Sequence, residues 1–172
     1  MTFRIIKPWF EWLVRTTVGN EIVNAKLDSG SSLTVLGREM VELLGIDKAT
    51  IATQNYIEYT GITGAGGQAF KVKINCIPLG KETIPVSHVY VPFEFCENGT
   101  KYRFISPRKY LIGTDVLNLY NSATTFNKSY LSNEIRSFDL NLTPHNLEIS
   151  GISPKEKHLS QLSAKVEELT VN

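Results

Sequence analysis

The residues of this chain that are best suited to chemistry lie at positions 25–36, in the sequence A-K-L-D-S-G-S-S-L-T-V-L. An apolar strand runs into Asp28, so this segment delivers a carboxylate to the end of a buried strand, where it can exchange a proton. Gly30 permits a sharp turn where a Cβ would clash, and the hydroxyls of Ser29 and Ser31 can hydrogen-bond a buried charge. Asp-Ser-Gly is also an ordinary turn sequence, so the tripeptide alone does not establish a catalytic site.

Two further segments strengthen the catalytic interpretation through their order along the chain. Glycines crowd the stretch from Gly61 to Gly67, between two strand-like arms. A phosphate-cradling loop would need a helix directly after it, whereas Phe70 to Ile74 alternates with period two, which predicts a mobile β-hairpin. The second segment is L-I-G-T-D-V-L at 111–117, where an apolar strand ends at a glycine and a short helix follows, with Thr114 as its N-cap.

In the order D-S-G, then G-A-G-G, then L-I-G, these motifs resemble those of the retropepsin-like aspartic peptidases, the family of the retroviral proteases. The resemblance covers roughly Val14 to Phe126. It implies a mainly β chain folded as a closed β-barrel with a glycine-rich flap hairpin and short helices. It also implies an aspartic endopeptidase that cleaves a peptide or protein substrate and uses no cofactor.

The resemblance implies three groups of site residues. They are the catalytic motif Asp28, Ser29 and Gly30; the substrate-binding flap residues Ile62, Gly64, Ala65, Gly66 and Gly67; and the supporting residues Ser31, Leu111, Ile112 and Gly113. Within the motif, Ser29 would brace the two active-site loops of a dimer against each other. Ser31 replaces the alanine common in viral members. If its hydroxyl bonds the Asp28 carboxylate, it stabilises the charged form, which predicts a more acidic pH optimum than that of Ser31→Ala.

The chemistry of this reaction adds a requirement for a second carboxylate. Hydrolysis of a peptide bond without a metal or a covalent nucleophile needs one group that takes a proton from water and another that donates one to the carbonyl oxygen. A pair of aspartates that share one proton does both, as in aspartic proteases generally. Because D-[ST]-G occurs once in this chain, we expect a symmetric homodimer with Asp28 of each copy on the two-fold axis.

Two other interpretations stay open at this stage. In the first, the chain is a retropepsin-like module that dimerises and holds peptides without cutting them, in keeping with Ala65 at the flap tip and a long C-terminal extension. In the second, Asp28 and Asp115 form a carboxylate pair within one chain, as in a glycosidase. The second is the weaker, because an acid at the start of a helix is explained by the helix dipole alone.

The elements around Asp28 are predicted from periodicity and turn residues. Phe10–Val18 and Glu21–Leu27 form a β-hairpin with a Gly-Asn turn, and Leu33–Leu36 forms a short strand. A short helix follows, with apolar residues at helical spacing and Gly45 at its end. Further strands are predicted at 51–59, 81–91, 123–126 and 135–140, and an irregular loop at 92–108.

The C-terminal segment differs in kind from the rest. It begins with the serine and glutamate of a capping box at Ser153 and Glu156, with proline at the first helical position. Apolar residues at 159, 162, 166 and 169 then predict an amphipathic helix over 154–169. We therefore divide the chain into a peptidase domain at 1–140 and an extension at 141–172.

Composition narrows the remaining classes. A formal charge of +1 offers no basis for binding nucleic acid or an anionic membrane surface. The 2 cysteines and 3 histidines have no metal-ligand spacing, so we expect no metal site. With no apolar run near the length of about 20 residues that a bilayer requires, and charges throughout the N-terminal stretch, a cytoplasmic location is expected.

Overall fold

The computed structural model describes residues 1–7, 11–61, 63–96, 99, 101–125 and 136–145. Most of these residues lie in β-strands. In chain order the elements are β1 (Thr2–Lys7), β2 (Trp12–Val18), β3 (Glu21–Leu27), β4 (Val35–Leu36), α1 (Arg38–Leu43), α2 (Lys48–Ile51), β5 (Tyr56–Thr60), β6 (Gly66–Lys73), β7 (Cys76–Leu79), β8 (Glu82–Pro85), β9 (His88–Phe95), β10 (Tyr102–Phe104), β11 (Tyr110–Ile112), α3 (Thr114–Leu117), β12 (Tyr120–Thr125) and β13 (Arg136–Pro144). None of the described helices is long and apolar enough to cross a membrane.

The described strands form one large sheet and a separate hairpin. The sheet has 11 strands in the order β12-β13-β1-β2-β3-β11-β4-β9-β6-β5, with β10 paired to β9, and β7 pairs with β8. Most neighbours are antiparallel, but β3 with β11 and β4 with β9 are parallel. The strands that lead into Asp28 and Gly113 therefore lie side by side in the middle of the sheet.

The sheet's core follows from the alternation of apolar residues along the strands. In β2 the side chains of Val14, Thr16 and Val18 are buried while their neighbours in the strand are more exposed, which is the period of two expected of a strand with one covered face. In β9 the run from Val89 to Phe93 is buried throughout, as expected of a strand covered on both faces. Rings from β5, β6, β9 and β10 pack together at one end, with Phe70 and Phe93 stacked at 4.0 Å.

The sheet is open, whereas the resemblance implied a closed β-barrel. Among the described strands, the pairings run from β12 to β5, and no pairing joins these two ends. Strand patterning is local, but closure depends on which distant strands meet, and a period of two carries no information about that. The mainly β class is confirmed, and the closed barrel is wrong for the described residues.

Several local predictions hold. The hairpin of β2 and β3 turns at Gly19, which has φ +61°, and pairs in register from Trp12↔Leu27 to Val18↔Glu21. Helix α1 is followed by Gly45 with φ +64°, the left-handed conformation that commonly ends helices.

Other element predictions are corrected. The strand expected at 51–59 begins only at Tyr56, because Asp47 caps α2 by accepting the Ala49 N–H at 3.0 Å. The stretch expected to be a strand at 81–91 is divided between β8 and β9. The loop expected at 92–108 contains the end of β9 and all of β10, which pair with each other, and the Pro92 carbonyl accepts the Ile105 N–H at 3.1 Å. The N-cap of α3 is Gly113, so Thr114 is not the cap.

The C-terminal predictions are only partly within the described residues. Strand β13 runs to Pro144, and the helix expected over 154–169 lies outside the described residues. The division of the chain at 140 stays a prediction.

Candidate active site

Asp28 lies directly after the last residue of β3, in the centre of the sheet. Its N–H donates to the Ile112 carbonyl oxygen at 2.9 Å, which extends the parallel pairing of Leu27 with Ile112 by one further bond. The backbone of the candidate catalytic residue is therefore tied to a buried neighbouring strand. Its side chain is 30% exposed, so the carboxylate is accessible to solvent.

Within the described part of the chain, two groups contact the Asp28 carboxylate. The Gly30 N–H donates to Oδ1 at 2.9 Å, and Lys26 Nζ lies 3.9 Å from Oδ2. A Cβ on Gly30 would lie 3.1 Å from the same Oδ1, which is tighter than ordinary contact. Gly30 therefore lets the carboxylate reach the backbone, and this N–H fixes its orientation. Lys26 also lies 3.3 Å from Glu11, so its charge is shared between two carboxylates.

The serines after Asp28 do not bond its carboxylate. The Ser31 hydroxyl donates to the Leu33 carbonyl oxygen at 2.9 Å, while the Ser31 N–H donates to the Asp28 carbonyl oxygen at 3.2 Å. Ser31 therefore shapes the turn, and the condition behind the expected acidic optimum is not met. Ser29 is exposed and lies at the edge of a cleft beside Asp28.

A buried threonine joins the Asp28 loop to the segment around Gly113. Thr34 has no exposed surface, and its hydroxyl donates to Asp115 Oδ1 at 2.6 Å and accepts the Gly113 N–H at 3.1 Å. The Thr34 N–H donates to Asp115 Oδ2 at 3.0 Å, so each oxygen of this carboxylate has a donor. Asp115 therefore holds two loops together, and it is not among the residues that line the cleft beside Asp28.

Sequence reasoning missed this role of Thr34 and Asp115. Each had a sufficient local explanation, Asp115 as an acid in the first turn of a helix and Thr34 as a β-branched residue in a strand. The usable signal was a hydroxyl residue at 34 inside the apolar run L-T-V-L, because a buried polar group requires a partner.

The supporting residues of the L-I-G motif lie against the Asp28 loop. Leu111 and Ile112 are buried in β11, and the Thr114 N–H donates to the Ser31 carbonyl oxygen at 2.8 Å. A Cβ on Gly113 would lie 2.3 Å from the Leu33 carbonyl oxygen and 2.8 Å from that of Ser31. Because these are backbone atoms that cannot move aside cheaply, only glycine fits here.

The glycine-rich segment forms the tip between β5 and β6. The Gly61 N–H donates to the Ala65 carbonyl oxygen at 2.8 Å, and Gly64 has φ +80°. Gly66 and Gly67 belong to β6 and line a separate groove of about 510 Å³. Among the described residues, this hairpin does not line the cleft beside Asp28, and Ile62 lies outside them. The hairpin is present, and its role as a substrate-binding flap stays a prediction.

The cleft beside Asp28 has a volume of about 520 Å³, within the range of roughly 300–1,000 Å³ usual for binding pockets. It is lined by charged, polar and apolar side chains: Glu11, Trp12, Lys26, Leu27, Asp28, Ser29, Thr114, Leu117, Asn118, Tyr120, Ser122, Leu140 and Leu142. Tyr120 is 5% exposed, and its buried hydroxyl has no hydrogen-bond partner among the described residues. Burial raises the pKa of Tyr120 to about 12.

Two other aspects of the described residues bear on the chemistry. No cluster of three or more His, Cys, Asp or Glu residues in the described part of the chain is arranged to hold a metal ion. The pKa of His88 is lowered by burial and, to a smaller extent, by the positive charge of Lys71, while Asp115 raises it. The Nδ1 atom of His88 lies 2.7 Å from the Ser87 hydroxyl.

No protein-family model matches the chain, and no curated protein matches it. Among solved structures, it is similar to the crystal structure of a retropepsin-like aspartic protease from Rickettsia conorii. The identity is 16% and the TM-score is 0.46, and the match covers 83% of this chain and 96% of that chain. The function has to be inferred from the residues of this chain's own site.

Proposed function

We propose that this chain is an aspartic endopeptidase whose active centre combines the Asp28 carboxylates of two copies in a homodimer. The observation that carries the proposal is the Asp28 carboxylate itself. It is partly exposed at a cleft, it follows a buried central strand, and the Gly30 N–H orients it at 2.9 Å. A rigidly held but accessible carboxylate is what general acid-base catalysis requires.

The need for a second copy follows from the reaction, which requires a second carboxylate, and from the single D-[ST]-G motif of this chain. Asp115 accepts donors on both oxygens and serves the structure around Thr34. In a dimer, the two Asp28 carboxylates share a proton, so that one activates water and the other protonates the carbonyl oxygen of the substrate. Water attacks the carbonyl carbon, the C–N bond breaks, and the amine leaves with a proton.

In this mechanism the remaining predicted residues position the reacting groups. Ser29 braces the two loops across the dimer, and Leu111, Ile112 and Gly113 hold the loop that carries Asp28. The hairpin at 61–67 closes over an extended peptide as a flap. Strand β5 supports a β-strand mode of peptide binding, because among the described strands it pairs only with β6 and leaves its other edge free.

The first experiment combines a solution mass with cleavage of an unfolded protein from acid to neutral pH. We expect a dimer mass and cleavage by the native chain, and a folded dimer without cleavage for Asp28→Asn. The matched control is Asp47→Asn, because Asp47 is the N-cap of α2 and asparagine caps helices equally well. Equal loss of activity in both variants would show that Asp28 has no special role.

A mixing experiment tests whether one active centre uses both Asp28 residues. When native and Asp28→Asn chains exchange at equal concentration, one quarter of the dimers contain two native chains, so activity per native chain should fall to about half. Activity per native chain that does not change on mixing would indicate that each chain carries a complete centre, which would refute the shared pair.

A second candidate function, peptide binding without cleavage, is favoured by the position of Lys26. Its ammonium lies 3.9 Å from Asp28 and gives the carboxylate a cationic partner within the same chain. A binding module predicts that Asp28→Asn still binds extended peptides and that the native dimer cleaves none at any pH. Binding measured by fluorescence anisotropy beside the cleavage assay separates the two functions.

A further inference from the structure

The cleft beside Asp28 is lined by two carboxylates and one ammonium group. Among the described residues, its charged lining side chains are Glu11, Lys26 and Asp28. The Glu11 side chain is 54% exposed, that of Lys26 37% and that of Asp28 30%, so a molecule bound in the cleft can reach all three. One cation does not neutralise two anions, and a proton shared by the two Asp28 carboxylates of the proposed dimer still leaves the lining negative.

The β2–β3 hairpin places Glu11 close to the reacting carboxylate. Trp12 pairs with Leu27, so Glu11, which precedes Trp12, lies across from Asp28 at the open end of the hairpin. Lys26 comes two residues before Asp28, and the alternation of side chains along a strand places both on the same face. The Lys26 ammonium then lies between the two carboxylates, 3.3 Å from Glu11 and 3.9 Å from Asp28.

The Glu11 carboxylate has capacity for a further donor. Lys26 Nζ contacts its Oε1 atom, whereas the two oxygens of a carboxylate together accept about four hydrogen bonds. More than half of the side chain is exposed, so a ligand can reach the remaining acceptor sites. An acidic ligand is disfavoured, because it would bring a third carboxylate to an ammonium that already lies between two. The lining therefore favours a cation.

We propose that Glu11 makes the peptidase selective for substrates that place a basic side chain, arginine above all, in the cleft beside Asp28. This inference rests on the proposed function, because it names the side chain that the cleft accepts next to the bond that is cut. The planar guanidinium of arginine donates to the Glu11 carboxylate, a geometry that a carboxylate and a guanidinium share. Lys26 competes for the same carboxylate and so limits the preference.

Cleavage of a matched peptide series by the full chain tests the proposal. Each position of an extended peptide carries arginine, glutamine or glutamate in turn, and mass spectrometry identifies the bond that is cut. We expect one position, counted from that bond, at which kcat/KM is about fivefold higher for arginine than for glutamine, as for a favourable exposed ion pair. Glu11→Gln should abolish this ratio, and raising the salt concentration to about 1 M should weaken it.

Two further variants separate a local contact from the charge of the whole protein. Glu21→Gln is the matched control, because it removes the same charge from an exposed glutamate of β3 that lines a different groove, and it should leave the arginine-to-glutamine ratio unchanged. Lys26→Met keeps the aliphatic stem and removes the competing ammonium, so it should raise the ratio about twofold or more. Each ratio is taken within one variant, so changes in overall activity cancel.

Peptide binding to the Asp28→Asn chain gives a measurement that does not require cleavage. By fluorescence anisotropy, this variant should bind the arginine peptide more tightly than the glutamine peptide, and adding Glu11→Gln should make the two affinities equal. If the native chain cleaves no peptide, the proposed peptidase is wrong, while this comparison still tests Glu11. Cleavage without an arginine preference would overturn the role of Glu11 and leave the peptidase standing. A preference for glutamate, or an equal loss in Glu21→Gln, would overturn that role as well.

Discussion

Replacing Thr34 with valine tests whether the bond to Asp115 holds the active-site loops together. The substitution keeps the shape and removes the hydroxyl that donates to Asp115 Oδ1 at 2.6 Å and accepts the Gly113 N–H at 3.1 Å. Thr16→Val is a matched control, because the equally buried Thr16 hydroxyl donates to the Val14 carbonyl oxygen and accepts the Gly80 N–H. Each variant also leaves one glycine N–H without its acceptor; the Gly113 N–H is buried and the Gly80 N–H is partly buried, so this cost is at least as large in Thr34→Val.

The two variants differ in the charge of the lost acceptor. Hydrogen bonds to charged groups contribute about 1.5–3 kcal/mol, and neutral ones about 0.5–1.5 kcal/mol. With a further cost of about 1–3 kcal/mol for the glycine N–H, Thr34→Val should lower the free energy of unfolding by about 2.5–6 kcal/mol. Thr16→Val should lower it by roughly 1–1.5 kcal/mol less.

Urea unfolding of both variants and the native chain provides the measurement. With a slope of about 2 kcal/mol per molar urea, the midpoint of Thr34→Val should lie about 0.5 M below that of Thr16→Val. The cleavage rate of Thr34→Val should also fall, while that of Thr16→Val should not. If the midpoint of Thr34→Val is equal to or above that of Thr16→Val, the charged bond does not secure the loop and the reasoning is wrong.

Further predictions follow from single contacts. Gly113→Ala should lower the free energy of unfolding by about 3 kcal/mol or more, because the added Cβ would meet backbone atoms. Gly67→Ala should lower it by under about 1 kcal/mol, because there the Cβ meets the side chain of Tyr59, which can move. Similar melting temperatures for the two variants would contradict this difference. Ser31→Ala should leave the pH profile of cleavage unchanged, because its hydroxyl donates to a backbone carbonyl, and a shifted optimum would show contact with the Asp28 carboxylate. Because the pKa of His88 is lowered in the folded chain, the unfolded chain protonates this imidazole at a higher pH than the folded chain does. The free energy of unfolding should therefore fall as pH drops below 6.5. In His88→Gln this contribution to the loss of stability should be absent when urea unfolding is measured at several pH values. A pH dependence equal to that of the native chain would refute the role of His88.

The parts of the fold that could be predicted from sequence are those with a local cause. The β2–β3 hairpin is determined by strand residues on both sides of a Gly-Asn turn, and Gly45 ends α1 through its own backbone conformation. The position of Asp28 at a strand end follows from the same local pattern. These features depend on residues close together in sequence, so periodicity and turn chemistry are sufficient.

The parts that could not be predicted depend on distant partners. The stretch after Pro92 forms a strand because β10 pairs with β9. The sheet is open because, among the described strands, its two ends β12 and β5 do not pair with each other. The hydrogen bond between Thr34 and Asp115 joins residues 81 positions apart, and the type of one residue does not identify the other as its partner. Helix α2 was missed for another reason, since one turn capped by Asp47 is too short for periodicity to register.

The pairing of β1 with β13 constrains the order in which the protein can be assembled. The Met1 amino group donates to the carbonyl oxygen of Leu142, 141 residues later, and β1 pairs along its length with β13. At about 5–20 residues per second, a ribosome needs roughly 7–30 s to produce that partner. During this interval one edge of β1 has no native neighbour and the sheet below Asp28 is incomplete. A chain interrupted before β13 would therefore expose an unpaired strand edge, so correct completion of synthesis is itself a condition for a properly formed site.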